Sequence, residues 1–144
     1  MDRGGAAGGA RGEAGVRPVG TVTRIRGHAA VYDRVDRAGD VIRRGAFGAP
    51  GAVPLLMQHR GEPVGTIEAI GEDARGLWIA ARVDDAEAAR LVRCGALPGL
   101  SVGYRPVGTR QGAWREILAA ELVEVSLVAQ PAQALARVET ISDD

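Results

Sequence analysis

The sequence predicts a mainly β fold with a few helices, an α+β protein built as a mostly antiparallel barrel or sandwich, and three observations point there. Short runs of strand-forming residues alternate with turns rich in Gly, Pro and Asp along most of the chain. Valine outnumbers leucine, a bias toward pleated, half-buried surfaces. Residues 84–95 are the one segment with a clear helix start. At 144 residues the chain holds one domain, without room for two cores. Its apolar fraction of 46% includes 25 alanines, but 33 Val, Ile and Leu residues and seven Phe, Trp, Tyr and Met remain to build a core.

Residues 1–17 are Gly, Ala, Arg and a few acids. They offer nothing to bury against the entropy of ordering, so a disordered leader is predicted there and a folded domain over 18–140. Residues 21–32 alternate as a first strand, with Val22, Ile25 and Val31 as inward candidates. Residues 33–45 read as a polar loop, 53–59 as a short buried strand whose start Pro54 weakens. Residues 63–70 and 77–83 form an antiparallel hairpin around a turn at 71–76. In the helical segment Asp84 is placed to cap, with Glu87 three residues on; Ala88, Leu91 and Val92 make its apolar face, and Gly95 and Pro98 end it. Strands follow at 99–107 and 114–128, the latter open to a break near Ala119-Ala120, and Pro131 to Val138 reads as a short closing helix.

The charge is balanced at 18 basic and 18 acidic residues, so no global field steers the protein to nucleic acid or membrane. No apolar run approaches the ~18 residues that span a bilayer, and Met1 to Gly15 has no apolar core of a secretory signal. One cysteine, Cys94, excludes an intramolecular disulfide and a cysteine-based zinc cluster. Asp33, Asp36 and Asp40 share a loop, but their spacing is not that of a calcium loop, and the chain has no lysine for a phosphate-binding loop. No cofactor or metal is expected. The composition predicts a soluble, intracellular, globular protein.

Chemistry has few places to reside. Gly99-Leu100-Ser101-Val102-Gly103 satisfies G-x-S-x-G, which on an α/β-hydrolase fold is the nucleophile elbow. That reading fails here: a strand pattern follows Ser101 instead of a helix, no histidine lies downstream of it, and the chain is too short for the sheet. His59 ends an apolar stretch at a turn, where it is either a base facing a cleft or a surface histidine. His28 lies within the first strand and reads as a packing or surface residue. In Glu121 to Val128, period two puts Leu122, Glu124, Ser126 and Val128 on one face and Val123, Val125 and Leu127 on the other. Glu124 among these apolar residues is either solvated near an edge or paired, and a histidine N–H is a natural partner.

In order along the chain stand Gly45-Ala46-Phe47, Pro54-Leu55-Leu56-Met57-Gln58-His59, Pro63-Val64-Gly65, Gly99 to Tyr104, and Glu124 to Val128 with Pro131-Ala132. Together they resemble the prohead (capsid maturation) proteases of tailed phages, a family similar to the herpesvirus assemblins. The resemblance runs from about Val19 to Val138. It implies a small closed antiparallel β-barrel flanked by helices, and a serine endopeptidase with a triad in the order His, Ser, third member. Carried over by position, His59 is the general base, Ser101 the nucleophile and Glu124 the orienting acid. It further implies that the substrate is the scaffold segment of the major capsid protein, and the enzyme itself. It implies a homodimer working in the host cytoplasm inside the immature procapsid of a phage, prophage remnant or gene transfer agent. The alternatives are a catalytically inactive assembly factor and nucleic-acid binding through the arginine-containing leader.

Overall fold

The computed structural model describes residues 22–143; the expected leader at 1–17 lies outside them. Among the described residues there are eight strands and one helix: β1 (Thr23–Val31), β2 (Asp40–Ile42), β3 (Leu55–Met57), β4 (Arg60–Glu72), β5 (Gly76–Val83), α1 (Ala86–Arg93), β6 (Gly99–Gln111), β7 (Arg115–Val128) and β8 (Val138–Asp143). All eight strands belong to a single sheet in the order β2-β7-β3-β4-β5-β1-β8, with β6 on the other flank of β7. Ile25, Leu55, Leu77, Ile79, Leu100, Ile117, Val125 and Leu127 are fully buried and form its core.

Local pattern explains most of these elements. The β4–β5 hairpin turns through Asp73, whose Oδ1 accepts from the amides of Arg75 (2.8 Å) and Gly76 (3.1 Å), an aspartate standing in for a backbone turn. Helix α1 buries Ala88, Ala89 and Val92 on one side, carries Glu87 in its first turn and Arg90 and Arg93 in its last, and so complements its own dipole. Its cap is Asp85, whose Oδ2 accepts from Ala88 N at 2.9 Å, and not Asp84. The amides of both Asp84 and Asp85 bond Val64 O, at 2.8 and 3.0 Å, which keeps the chain extended one residue longer than the sequence suggests. Ile25 and Val31 point inward as expected, while Val22 is half-buried.

Three expectations are corrected. The sheet is not a closed antiparallel barrel: its hydrogen-bonded path ends at β8 on one side and at β6 on the other, and only an isolated bridge, Gly99 to Arg137, spans the gap. Past that bridge β8 runs along β1 instead, packed so closely that a Cβ on Gly27 of β1 would collide with the Arg137 carbonyl oxygen. Two pairings, β2 with β7 and β3 with β7, are parallel. Instead of flanking helices there is α1 alone among the described residues. Residues 131–137 are irregular, because the buried Gln133 side chain bonds both the amide and the carbonyl of Val31 at 2.6 Å, holding the segment as a strap across the end of β1.

The β6–β7 hairpin is longer than expected, and it bulges where a break was foreseen. Its register slips between Gly103 and Tyr104, between Pro106 and Gly108, and between Gly108 and Thr109. The residue left without a directly opposite partner at these slips is Val123, Val107 and Leu118 respectively, and each is an exposed apolar side chain.

Candidate active site

The C-terminal half of β7 is buried at five successive residues, Glu124 to Val128, because β6 pairs with it on one edge and β3 on the other. In the β6–β7 ladder Ser101 lies opposite Ser126, and Gly103 opposite Glu124. Directly opposed residues, and residues two apart along a strand, stand on the same face. Ser101, Gly103, Glu124 and Ser126 therefore share one face of the sheet.

Glu124 is 9% exposed and leans across the neighbouring strand: a Cβ on Gly103 would collide with Glu124 Oε2. The second glycine of G-x-S-x-G is thus the space in which the carboxyl group lies. Both carboxylate oxygens are engaged. Oε1 accepts from the Ser126 hydroxyl at 2.7 Å, and Oε2 lies 2.7 Å from His59 Nδ1. A carboxylate can only accept, so the imidazole donates from Nδ1, and in the neutral ring that leaves the lone pair on Nε2.

His59 sits in a two-residue turn, Gln58-His59, that joins Met57 to its partner Arg60. Both turn residues have positive φ, 54° and 62°, the conformation tight hairpins demand and usually fill with Asn and Gly. Holding Gln and His there costs on the order of 1 kcal/mol each. The turn is fastened to β7: Gln58 N donates to Leu127 O at 2.9 Å, His59 N to Ser126 Oγ at 3.1 Å, and Ala129 N to Gln58 Oε1 at 3.1 Å. The imidazole side chain is 44% exposed, with Nδ1 bonded inward, and Nε2 has no hydrogen-bond partner among the described residues.

Two of the three sequence-predicted site residues, His59 and Glu124, are hydrogen-bonded to each other. Ser101 is 7% exposed, on the same face, and borders a cavity of about 20 Å³ together with Tyr104, Ala132 and Gln133. Among the described residues no hydrogen bond joins it to His59; catalytic contacts are often loose until substrate is bound. His28 belongs elsewhere: it is buried in β1, with Nδ1 2.6 Å from Glu139 Oε2 and Nε2 2.8 Å from Asp73 Oδ2. The loop acids have protein partners. Asp36 Oδ1 accepts from the amides of Ala38 and Asp40, and Asp33 pairs with Arg43. Asp40 takes both Nε and Nη2 of Arg115 at 2.8 Å and the Tyr104 hydroxyl at 3.0 Å. The Arg115 hydrogen bonds hold the Asp40 carboxyl below its ordinary range, while burial and that carboxylate push the Tyr104 phenol up. Among the described residues no group of three or more His, Cys, Asp or Glu is arranged to hold a metal ion.

Sequence reasoning gave no role to Ser126 or Gly103. The signal for both was present: each stands two residues along a strand from a candidate, Glu124 or Ser101, and so on the same face.

The fold is that of a herpesvirus-protease-like β protein, and one face of its sheet carries Ser101 and Glu124, the latter bonded to His59. Solved structures of that fold include varicella-zoster virus protease, 16% identical over 85% of this chain and 64% of that one, with a TM-score of 0.55. They include the Kaposi's sarcoma-associated herpesvirus (KSHV) protease in complex with a hexapeptide phosphonate inhibitor (13%, 85% and 65%, TM-score 0.57). A third is the bacteriophage T4 capsid assembly protease (19%, 73% and 80%, TM-score 0.50). The chain thus spans 64–65% of the length of those two herpesvirus proteases. The sequence profile of the Caudovirus prohead serine protease family matches residues 14–144, and this chain belongs to that family. No curated protein matches it. Among the described residues no helix is long and apolar enough to cross a membrane.

Proposed function

We propose that the chain is a serine endopeptidase of prohead maturation, with Ser101 as nucleophile, His59 as general base and Glu124 as orienting acid. The observation that carries this reading is the 2.7 Å contact of His59 Nδ1 with a nearly buried Glu124, on the face that Ser101 shares. Such a pair selects the imidazole tautomer whose Nε2 can take a proton. Prohead-protease family membership supports a capsid-protein substrate. We assign the scaffold segment of the major capsid protein and the enzyme itself as the bonds cleaved, inside the immature procapsid, with a homodimer as the working form. The host particle is a phage, a prophage remnant or a gene transfer agent.

Acyl transfer proceeds in two halves. The Ser101 hydroxyl adds to the peptide carbonyl as its proton passes to His59 Nε2. The imidazolium, stabilised by Glu124, gives that proton to the departing amine as the C–N bond breaks. Water then attacks the acyl-enzyme, losing a proton to Nε2, and the proton returns to Ser101 Oγ as the acid product leaves.

The other reading, an assembly factor without activity, draws on the absence of a hydrogen bond between Ser101 and His59. Co-expression with the cognate major capsid protein separates the two. The wild-type chain is expected to shorten the capsid protein and Ser101→Ala to leave it full length. A peptidyl phosphonate, the inhibitor class bound in the KSHV protease structure, is expected to add its mass to Ser101 in the wild type. Processing by Ser101→Ala at the wild-type rate overturns the peptidase.

A further inference from the structure

We infer that Ser126 is a positioning residue of this site, a single hydroxyl that holds the acid and the backbone of the base in register; the inference rests on the peptidase reading above. Ser126 is fully buried. It donates to Glu124 Oε1 at 2.7 Å and accepts from His59 N at 3.1 Å. A hydroxyl has one proton to give, and this one goes to the carboxylate oxygen that His59 does not use. Glu124 is thereby held at both oxygens, which fixes the rotation of its carboxyl plane and the direction in which Oε2 meets the imidazole.

The second bond acts on the base. His59 stands at φ 62° in a turn that glycine would fill at lower cost. Its amide is tied to the same hydroxyl that holds its side-chain partner, so imidazole and carboxylate are referenced to one atom. Ser126 also lies directly opposite Ser101 in the β6–β7 ladder. The two serines divide the work by surroundings. Ser126 Oγ is buried and engaged with both partners, whereas Ser101 borders open volume and makes no side-chain hydrogen bond among the described residues. Ser126 touches no substrate; it acts through Glu124 and His59.

The test is steady-state cleavage of a peptide spanning the cognate capsid cleavage site, with Ser101→Ala run in parallel and folding followed by thermal unfolding. Ser126→Ala is expected to lower kcat by up to about 100-fold, the scale on which a displacement of about 1 Å in a site costs rate, with KM close to wild type. Ser126→Cys, which keeps the shape but is a weaker donor, is expected to fall between the two. If Ser126→Ala does not fold, Ser126→Cys is read in its place. The wild-type His59 amide, followed by hydrogen exchange, is expected to be protected. Wild-type kcat in a folded Ser126→Ala (or, in its place, Ser126→Cys), an effect on KM alone, or rapid exchange of the His59 amide overturns the inference. Loss of all cleavage in Ser101→Ala alongside any of these leaves the peptidase reading standing, whereas cleavage by Ser101→Ala overturns that reading itself.

Discussion

The two histidines of this chain both bond carboxylates, and the contrast between them defines what a base requires. His28 is buried in the middle of β1 with Nδ1 on Glu139 and Nε2 on Asp73. Both nitrogens are committed, and the residue ties the β4–β5 turn and β8 to β1. His59 has one committed nitrogen, a half-open ring and a backbone conformation that its residue type does not favour. A histidine held at both ends is a rivet. One oriented at a single nitrogen and open at the other can accept a proton and give it back. Strain and exposure fall on the second, the pattern the proposed base would show where precise placement outweighs local stability.

The contrast is broken most sharply by removing each ring in turn. On the proposed mechanism His59→Ala is expected to lower capsid-peptide cleavage by about 10⁴-fold or more, and Glu124→Gln by up to ~10⁴-fold, since the one would remove the base and the other its tautomer control. Cleavage by His28→Ala, measured on folded protein, is expected to stay near wild type. A loss on His28→Ala equal to that on His59→Ala would erase the distinction. Gly103→Ala sharpens it further. The new methyl takes the place of Glu124 Oε2, and a displacement of about 1 Å in a catalytic group can cost roughly 10²-fold in rate. Its thermal stability and kcat, measured together, are expected to show that loss in kcat.

The expected effect at His28 is on stability. His28→Ala deletes two hydrogen bonds to carboxylates, and about 1–3 kcal/mol of unfolding free energy is expected to go with them, read by denaturant titration. Acid is expected to act on the far end of the β6–β7 hairpin. Hydrogen bonds from Arg110 and Arg43 bring the Glu116 carboxyl down to about 2 from its ordinary 4.5. The unfolded chain therefore binds more protons between those values. The stabilisation from Glu116 is complete above 4.5 and is lost as pH falls through about 2. Thermal midpoints followed across this range are expected to fall, and less steeply in Glu116→Gln.

What was legible in the sequence was what neighbouring residues decide among themselves. The β4–β5 hairpin, the helix with its flanking glycine, and the long strand carrying Glu124 all follow from periodicity and turn chemistry. Errors arise where a distant partner outvotes local preference. Asp85 caps α1 because Val64 O holds two successive amides. The segment 131–137 is a strap because Gln133 pairs with the backbone of Val31. Strand β2, read as part of a polar loop, exists through parallel pairing with Arg115 to Ile117. The candidate residues His59, Ser101 and Glu124 were nameable through resemblance; their own pattern left His59 a possible surface residue and Glu124 a possible edge residue.

By itself the sequence determined the secondary structure class, the face that Glu124 shares with Ser126, and the family, because hydrophobic period and ordered motifs are properties of the chain read in line; the bulge at Val123, which breaks that period before Glu124, it did not. Only the tertiary structure decided that His59 meets Glu124, that Gly103 is the hollow receiving the carboxyl, and that the sheet stays open beside Arg137. Each depends on strands brought together across 20 residues or more of intervening chain. Hydrogen-bond direction and close approach between such segments are fixed by packing, and no local period encodes them.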